Sequence, residues 1–182
     1  MSMFREIPLS RAYRLLHPKL VVLIVTKAGG RVNIMTAAWA MPASVRPPLI
    51  VVSVAPSRYT YELVKASGEF TLNVATADML KAAHYCGSVS GRSVDKVKAA
   101  GLSLMPSLKV TPPCLADAAA CLECKLWGAT PAGDHELLIG EVVAARAREG
   151  LFGETYDVSR ARLLLHLGGN RYTTNSGEVV VA

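Results

Sequence analysis

The sequence is short of charge. Of its 182 residues, 19% are Asp, Glu, Lys or Arg and 51% are apolar, which excludes an intrinsically disordered chain and suits one packed domain over residues 1–182. Long hydrophobic runs are also missing. The strongest, Leu20 to Val25 and Leu49 to Val52, fall far short of the ~20 residues of a membrane-spanning helix. The mean hydropathy of +0.30 therefore points to buried apolar surface rather than to a membrane protein. With few charges to cover it, part of that surface is expected in a subunit interface. No export signal is read after Met1, so the expected compartment is the cytoplasm. No G-x-G-x-x-G follows a strand and no Walker loop exists, which excludes the usual nucleotide-binding folds.

Aromatics make up 6% of the chain, and Lys and Arg never form a block of five. A net charge of +6 so dispersed, with no aromatic platform for single strands, argues against nucleic-acid binding and leaves an anionic ligand, or nothing beyond solubility, as its use. The four cysteines are Cys86, Cys114, Cys121 and Cys124. Cys121 and Cys124 form a C-x-x-C, yet no second pair or nearby His pair completes a zinc site. On a strand, positions three apart point to opposite faces, so these two read as buried structural thiols, as does Cys86.

Glycine and proline divide the rest clearly. Leu20 to Thr26 reads as a strand that turns at Ala28-Gly29-Gly30 into a return strand, Arg31 to Ala40. Leu49 to Ala55 is a further apolar strand. Arg58 to Ala66 reads as a helix capped by Ser57 and stopped at Ser67-Gly68. Glu69 to Val74 alternates as a strand, and two short helices are expected over Ala77 to Tyr85 and Ser93 to Ala99. Ala119 to Ala129 and Glu136 to Arg148 form a long hairpin closed by residues 130–135, and strands near Ala161 to Leu167 and Arg171 to Thr174 complete the chain. Strands follow strands with helices as insertions, which favours a mainly β protein with peripheral helices over a doubly wound sheet.

Three polar stretches stand out. Asn33 to Trp39 combines hydrogen-bonding Asn33 and Thr36 with small Ala37 and Ala38, letting a flat ligand approach the backbone, and Trp39 offers a ring. Ser53 to Thr60 places Ser53, Ser57, Thr60 and the bidentate donor Arg58 at a strand end and a helix start, where free amides attract anions. Ser88 to Lys96 adds Ser90, Arg92 and Lys96 around Gly91, which permits a tight turn. A strand with a core Trp and a capped helix explain the first two equally well when each is taken alone. Together the three describe a ring platform beside a phosphate pocket.

Seven segments resemble one family: Asn33-x-Met35-Thr36-Ala37-Ala38-Trp39, Pro47-Pro48-Leu49, Pro56-Ser57-Arg58-Tyr59-Thr60, Gly68-Glu69-Phe70-x-x-Asn73, Cys86-Gly87-x-x-Ser90-Gly91-Arg92-x-x-Asp95-Lys96, Gly133-Asp134-His135 and Leu165-His166-Leu167-Gly168-Gly169. In this order, from about residue 15 to 175, they resemble the flavin reductase-like, FMN-binding family and its flavoredoxin members. The resemblance implies a split β-barrel that forms a homodimer and holds FMN non-covalently near the subunit seam. It puts Asn33, Met35, Thr36, Ala37, Ala38 and Trp39 along the isoalloxazine, with the Thr36 hydroxyl or a backbone amide as a donor to the reduced ring. Ser53, Ser57, Arg58 and Thr60 go to the ribityl and phosphate, and Ser90, Arg92 and Lys96 give further phosphate donors. His135 and His166 match positions that approach the flavin, although either, taken singly, reads as a structural side chain. NADH or NADPH is the implied electron donor; an electron carrier reduced by a partner protein is the alternative.

Overall fold

The structure is a computed structural model, and it describes residues 3–179. Strands β2 (Val22–Ala28) and β3 (Arg31–Ala37) form the first hairpin, turning at Gly29 and Gly30 with φ of 55° and 80°. Two successive positive φ values suit glycine and match the right-handed twist of the flanking strands. β2 also pairs with β6 (Glu69–Val74), so it is covered on both edges and both faces, which is why its apolar run is continuous rather than alternating.

The main sheet is antiparallel and seven-stranded, in the order β3-β2-β6-β9-β10-β5-β4, with β4 at Ala40–Ser44, β5 at Leu49–Val54, β9 at Ala120–Ala132 and β10 at His135–Ala147. Its two edges, β3 and β4, are joined by Ala38 and Trp39 alone. A flat sheet of this width would hold its edges about 29 Å apart at ~4.8 Å per strand. Three Cα steps reach at most about 11 Å, so the sheet curls back on itself and the chain crosses the gap at Ala38-Trp39.

Two cores result. Val22, Ile24, Val52, Val54, Phe70, Leu72, Cys124 and Leu138 fill the inside of the curl, where Val64 of α1 (Tyr59–Ser67) joins them. Leu23, Val25 and Ile34 face outward and are covered by Met79, Ala83 and Cys86, the last two on α2 (Leu80–Ser88). α3 (Lys96–Ala100) packs beside α2, its start capped by Asp95, whose side chain accepts from the Lys98 amide at 3.2 Å.

Several boundaries differ from the sequence reading. The expected strand Leu20 to Thr26 is divided: Lys19–Leu20 (β1) belongs to a small second sheet with β11 (Leu164–Gly168) and β12 (Arg171–Thr174). The expected Arg31 to Ala40 strand breaks at Ala38, where the sheet changes edge. Ser57 does not cap α1; Arg58 occupies the cap position and no side chain bonds the free amides. The long hairpin turns at Gly133 and Asp134 alone, with Gly133 at φ 67°.

Cysteine chemistry also departs from expectation. Cys121 and Cys124 do point to opposite faces, and Cys124 lies in the inner core, where burial pushes its thiol up to about 12. Cys121, however, is bonded to Cys114, with Cα atoms 5.9 Å apart. The two-stranded β7 (Leu104–Met105) and β8 (Cys114–Leu115) ribbon lies over the outer face of β6, tied by Asn73 Oδ1 accepting from the Leu115 amide at 2.8 Å and by Thr71 Oγ1 donating to the Pro113 carbonyl at 2.8 Å. That contact brings the two sulfurs together, and no spacing rule reveals it. For so short a loop the crosslink contributes about 2–3 kcal/mol. Urea unfolding of Cys121→Ala is expected to show a loss of that size; unchanged stability would mean that the ribbon is held by its hydrogen bonds alone.

Candidate functional site

A cleft of about 700 Å³ opens along β3, between the start of α1, the end of α2 with the loop that follows, and the turns of the β9–β10 and β11–β12 hairpins. β3 serves as its axis. Asn33 lies toward one end, Met35, Thr36 and Ala37 follow, and Ala38 and Trp39 close the other end.

At the Asn33 end, Thr60 Oγ1 accepts from Asn33 Nδ2 at 2.8 Å, and both residues are buried. Asn33 Oδ1 is buried too, and it has no hydrogen-bond partner among the described residues. A buried acceptor left unpaired costs about 1–3 kcal/mol, so it marks a place for a ligand donor. Gly91 presses on the same atom: a Cβ there would stand 1.9 Å from Asn33 Oδ1. Gly91 is thus needed for close approach, not for a positive φ.

Three cations gather at this end, each in a different state. Arg58 is exposed at the start of α1, beside Ser57, and no carboxylate pairs with it among the described residues. Arg92 is engaged: its Nη2 donates to Glu62 Oε2 at 2.7 Å, its Nη1 donates to the Ser57 carbonyl at 3.4 Å, and its guanidinium lies 4.9 Å from the Tyr59 ring centre. The Arg92 amide donates to Ser90 Oγ at 3.3 Å, which shapes the loop. Lys96 is buried, and its Nζ donates to the carbonyls of Ile34 at 2.8 Å and Cys86 at 2.7 Å. Burial lowers the Lys96 pKa, and the nearby charge of Arg58 acts in the same direction. Burial pushes the Cys86 thiol up to about 11 against the pull of Lys96, so it is a neutral thiol and not a nucleophile.

In the middle of the cleft the Thr36 hydroxyl donates to the Ala83 carbonyl at 2.6 Å, so its proton is already committed and it does not supply the ring donor implied above. Gly87 faces Thr36 here, where a Cβ would make an ordinary contact with Thr36 Cβ at 3.4 Å. Ser53 lines the cleft from β5, and its amide donates to the Trp39 carbonyl at 2.9 Å, fixing the edge crossing.

At the far end Trp39 is 38% exposed and stands 5.1 Å from the His135 ring. His135 Nδ1 lies 2.7 Å from Asp134 Oδ1, and that contact holds the Asp134 carboxyl below its usual range. His166 Nε2 donates to the Gly169 carbonyl at 3.0 Å. All fifteen residues singled out in the sequence therefore line one cleft, and no Asp or Glu lines it. Thr36, Arg92 and Lys96 bond otherwise than the family resemblance implies.

The sequence model of the flavin reductase like domain matches residues 13–174. The chain belongs to the flavin reductase-like family. Its relatives include YddH of Escherichia coli, 35% identical over the whole of both chains. A protein of Aeropyrum pernix is 36% identical over 92% of this chain, which spans 64% of that relative's length. An NADH-dependent FAD reductase of Streptomyces globisporus is 31% identical over 71% of the chain and 72% of its own. Among solved structures, an FMN-binding protein from Thermus thermophilus shares 29% identity with a TM-score of 0.87 over the whole of both chains. A flavoredoxin from Methanosarcina acetivorans shares 26% identity with a TM-score of 0.87, covering 100% of this chain and 96% of that one.

Within this flavin reductase-like cleft, sequence reasoning missed Tyr59, His84 and Tyr172. His84 and Ser88 are four apart and share one face of α2, and Ser88 Oγ donates to the His84 carbonyl at 2.7 Å. That spacing was readable, but which face meets the cleft depends on how α2 packs over β3. The Lys96 brace gives a direct check. Lys96→Met leaves two buried carbonyls without their donor, and a loss of about 1–3 kcal/mol is expected in urea unfolding. Undiminished stability would contradict the bracing role.

Proposed function

We propose that the chain is an FMN-dependent oxidoreductase that takes reducing equivalents from NADH or NADPH and passes them to a flavin, metal complex or protein acceptor. The observation that carries the reading is the division of one carboxylate-free cleft into a cationic end and a flat, small-residue strand with a ring beyond it. These residues fit FMN. Arg58, Ser57, Thr60, Ser90 and the uncapped amides of α1 suit a dianionic phosphate. The unpaired Asn33 Oδ1 suits a hydroxyl or N–H donor of the same ligand. Met35, Ala37 and Ala38 would lie along the ring system, with Trp39, His135 and His166 at its far side. Bound FMN supplies the hydride or electron-pair chemistry, and the protein's part is binding, orientation and electrostatics.

In this reading Lys96 acts through the backbone it braces, and Arg92 chiefly shapes the loop over the phosphate. The family membership and the likeness to an NADH-dependent FAD reductase support the pyridine-nucleotide step. The likeness to a flavoredoxin supports the second reading, a carrier reduced only by a partner protein. A cytoplasmic homodimer belongs to the same proposal. Tyr13, Leu15, Leu16 and Met41 are exposed apolar side chains near the cleft rim or on the sheet edge, and a second copy would cover them. No described helix is long and apolar enough to cross a membrane.

Anaerobic addition of NADH or NADPH to the FMN-loaded protein is expected to bleach the visible flavin band within seconds. Bleaching by neither, with reduction by a protein donor instead, would establish the carrier reading in its place.

A further inference from the structure

All four histidines of the chain lie in a single series of ring contacts. From Trp39, 5.1 Å from His135, the series runs to Tyr13 at 5.5 Å, His17 at 6.2 Å, His166 at 5.4 Å, Tyr172 at 5.2 Å and His84 at 6.0 Å. These rings come from a 3-10 helix (Leu9–Leu16), the β3–β4 crossing, α2, the β9–β10 turn and the small sheet. Residues so distant in sequence converge here, although none of the seven is fully buried and only Tyr172 packs against a core cluster.

Five of the rings line the cleft, at the end away from Arg58 and Arg92. At ~3.3 Å per residue, Trp39 stands about 20 Å along the chain from Asn33. A phosphate held at the cationic end, with the flavin ring reaching Trp39, His135 and His166, leaves the His84 and Tyr172 side of this wall for a second molecule, and only in that respect does the inference rest on the function proposed above.

The wall's hydrogen-bonding capacity can be worked out atom by atom. Carboxylate and carbonyl oxygens only accept, so His135 Nδ1 donates to Asp134 and His166 Nε2 donates to Gly169. His84 Nδ1 and the Tyr172 hydroxyl are 3.2 Å apart. If the hydroxyl donates, His84 keeps a free Nε2–H; if Nδ1 donates, the hydroxyl proton is free. Either way the pair retains one donor for a ligand oxygen. A fixed cation stands near: Arg14 packs against Gly168, where a Cβ would stand 2.0 Å from its Nη1, and no carboxylate pairs with it among the described residues. No acid lines the wall, and the Asp134 carboxylate beside it is engaged by His135 Nδ1.

We propose that this wall is a second binding compartment, for a planar aromatic carboxylate. Its ring would meet the His166 imidazole, whose ring centre is 5.2 Å from that of Tyr172, and its carboxylate would take the donor of the His84–Tyr172 pair.

Calorimetric titration with 2-naphthoate, 2-naphthamide and cyclohexanecarboxylate separates the parts, using flavin-free and FMN-loaded protein with loading read by absorbance. Naphthoate is expected to bind at least tenfold more tightly than either the uncharged ring or the ringless anion. His84→Gln combined with Tyr172→Phe, checked for an unchanged thermal melt, is expected to reduce naphthoate to the level of the amide. Equal binding of amide and carboxylate, equal binding of the ringless anion, or a preference that survives the double variant would overturn the proposal. Failure to load FMN would instead count against the function proposed above, while leaving the naphthoate comparison readable.

Discussion

The buried ammonium of Lys96 is the contact on which the cleft depends. Among the described residues it has no carboxylate partner; two main-chain carbonyls, one on β3 and one near the end of α2, take its charge instead. Burying an ammonium group is unfavourable unless its protons are matched, so the bond is made only if strand and helix end are held at one separation. That separation sets the width of the cleft. It also sets the position of the loop behind α2, where Gly91 fits against Asn33 with no room for a side chain.

The electrostatic character of the cleft follows from the same arrangement. With Lys96 committed to the backbone and Arg92 to Glu62, Arg58 is left, of these three, with no acid to neutralise it among the described residues. It stands at a helix start with no side-chain cap, where the amides of the first turn add their partial positive charge. The sequence places Arg58, Arg92 and Lys96 on equal terms as phosphate donors; the fold gives them three different tasks. The proposed phosphate site rests as much on the absence of carboxylates from the cleft lining as on the presence of cations.

Most of this was readable in the sequence because local chemistry decides it. Glu69–Val74 and Arg171–Thr174 form strands at the expected residues, since alternation and flanking glycines act over short range. The fifteen residues line one cleft, and the ordered motifs of the family resemblance had already grouped them. What escaped depends on contacts distant in sequence. Ser57 has the side chain of a cap, yet the turn before α1 puts Arg58 in that place. The Cys114–Cys121 bond requires knowing that the β7–β8 ribbon lies across β6. The commitment of the Thr36 hydroxyl to Ala83 requires knowing how closely α2 approaches β3.

The central claim is that Arg58, rather than Arg92, is the charged anchor of an FMN phosphate. Flavin fluorescence titration of the two alanine variants tests it directly. A lost charge-assisted contact is worth about 1.5–3 kcal/mol, so Arg58→Ala is expected to weaken FMN binding roughly 10- to 100-fold. Arg92→Ala, which removes an exposed ion pair with Glu62, is expected to change it by no more than about fivefold. Full FMN affinity in Arg58→Ala, or a larger loss in Arg92→Ala, would contradict the account.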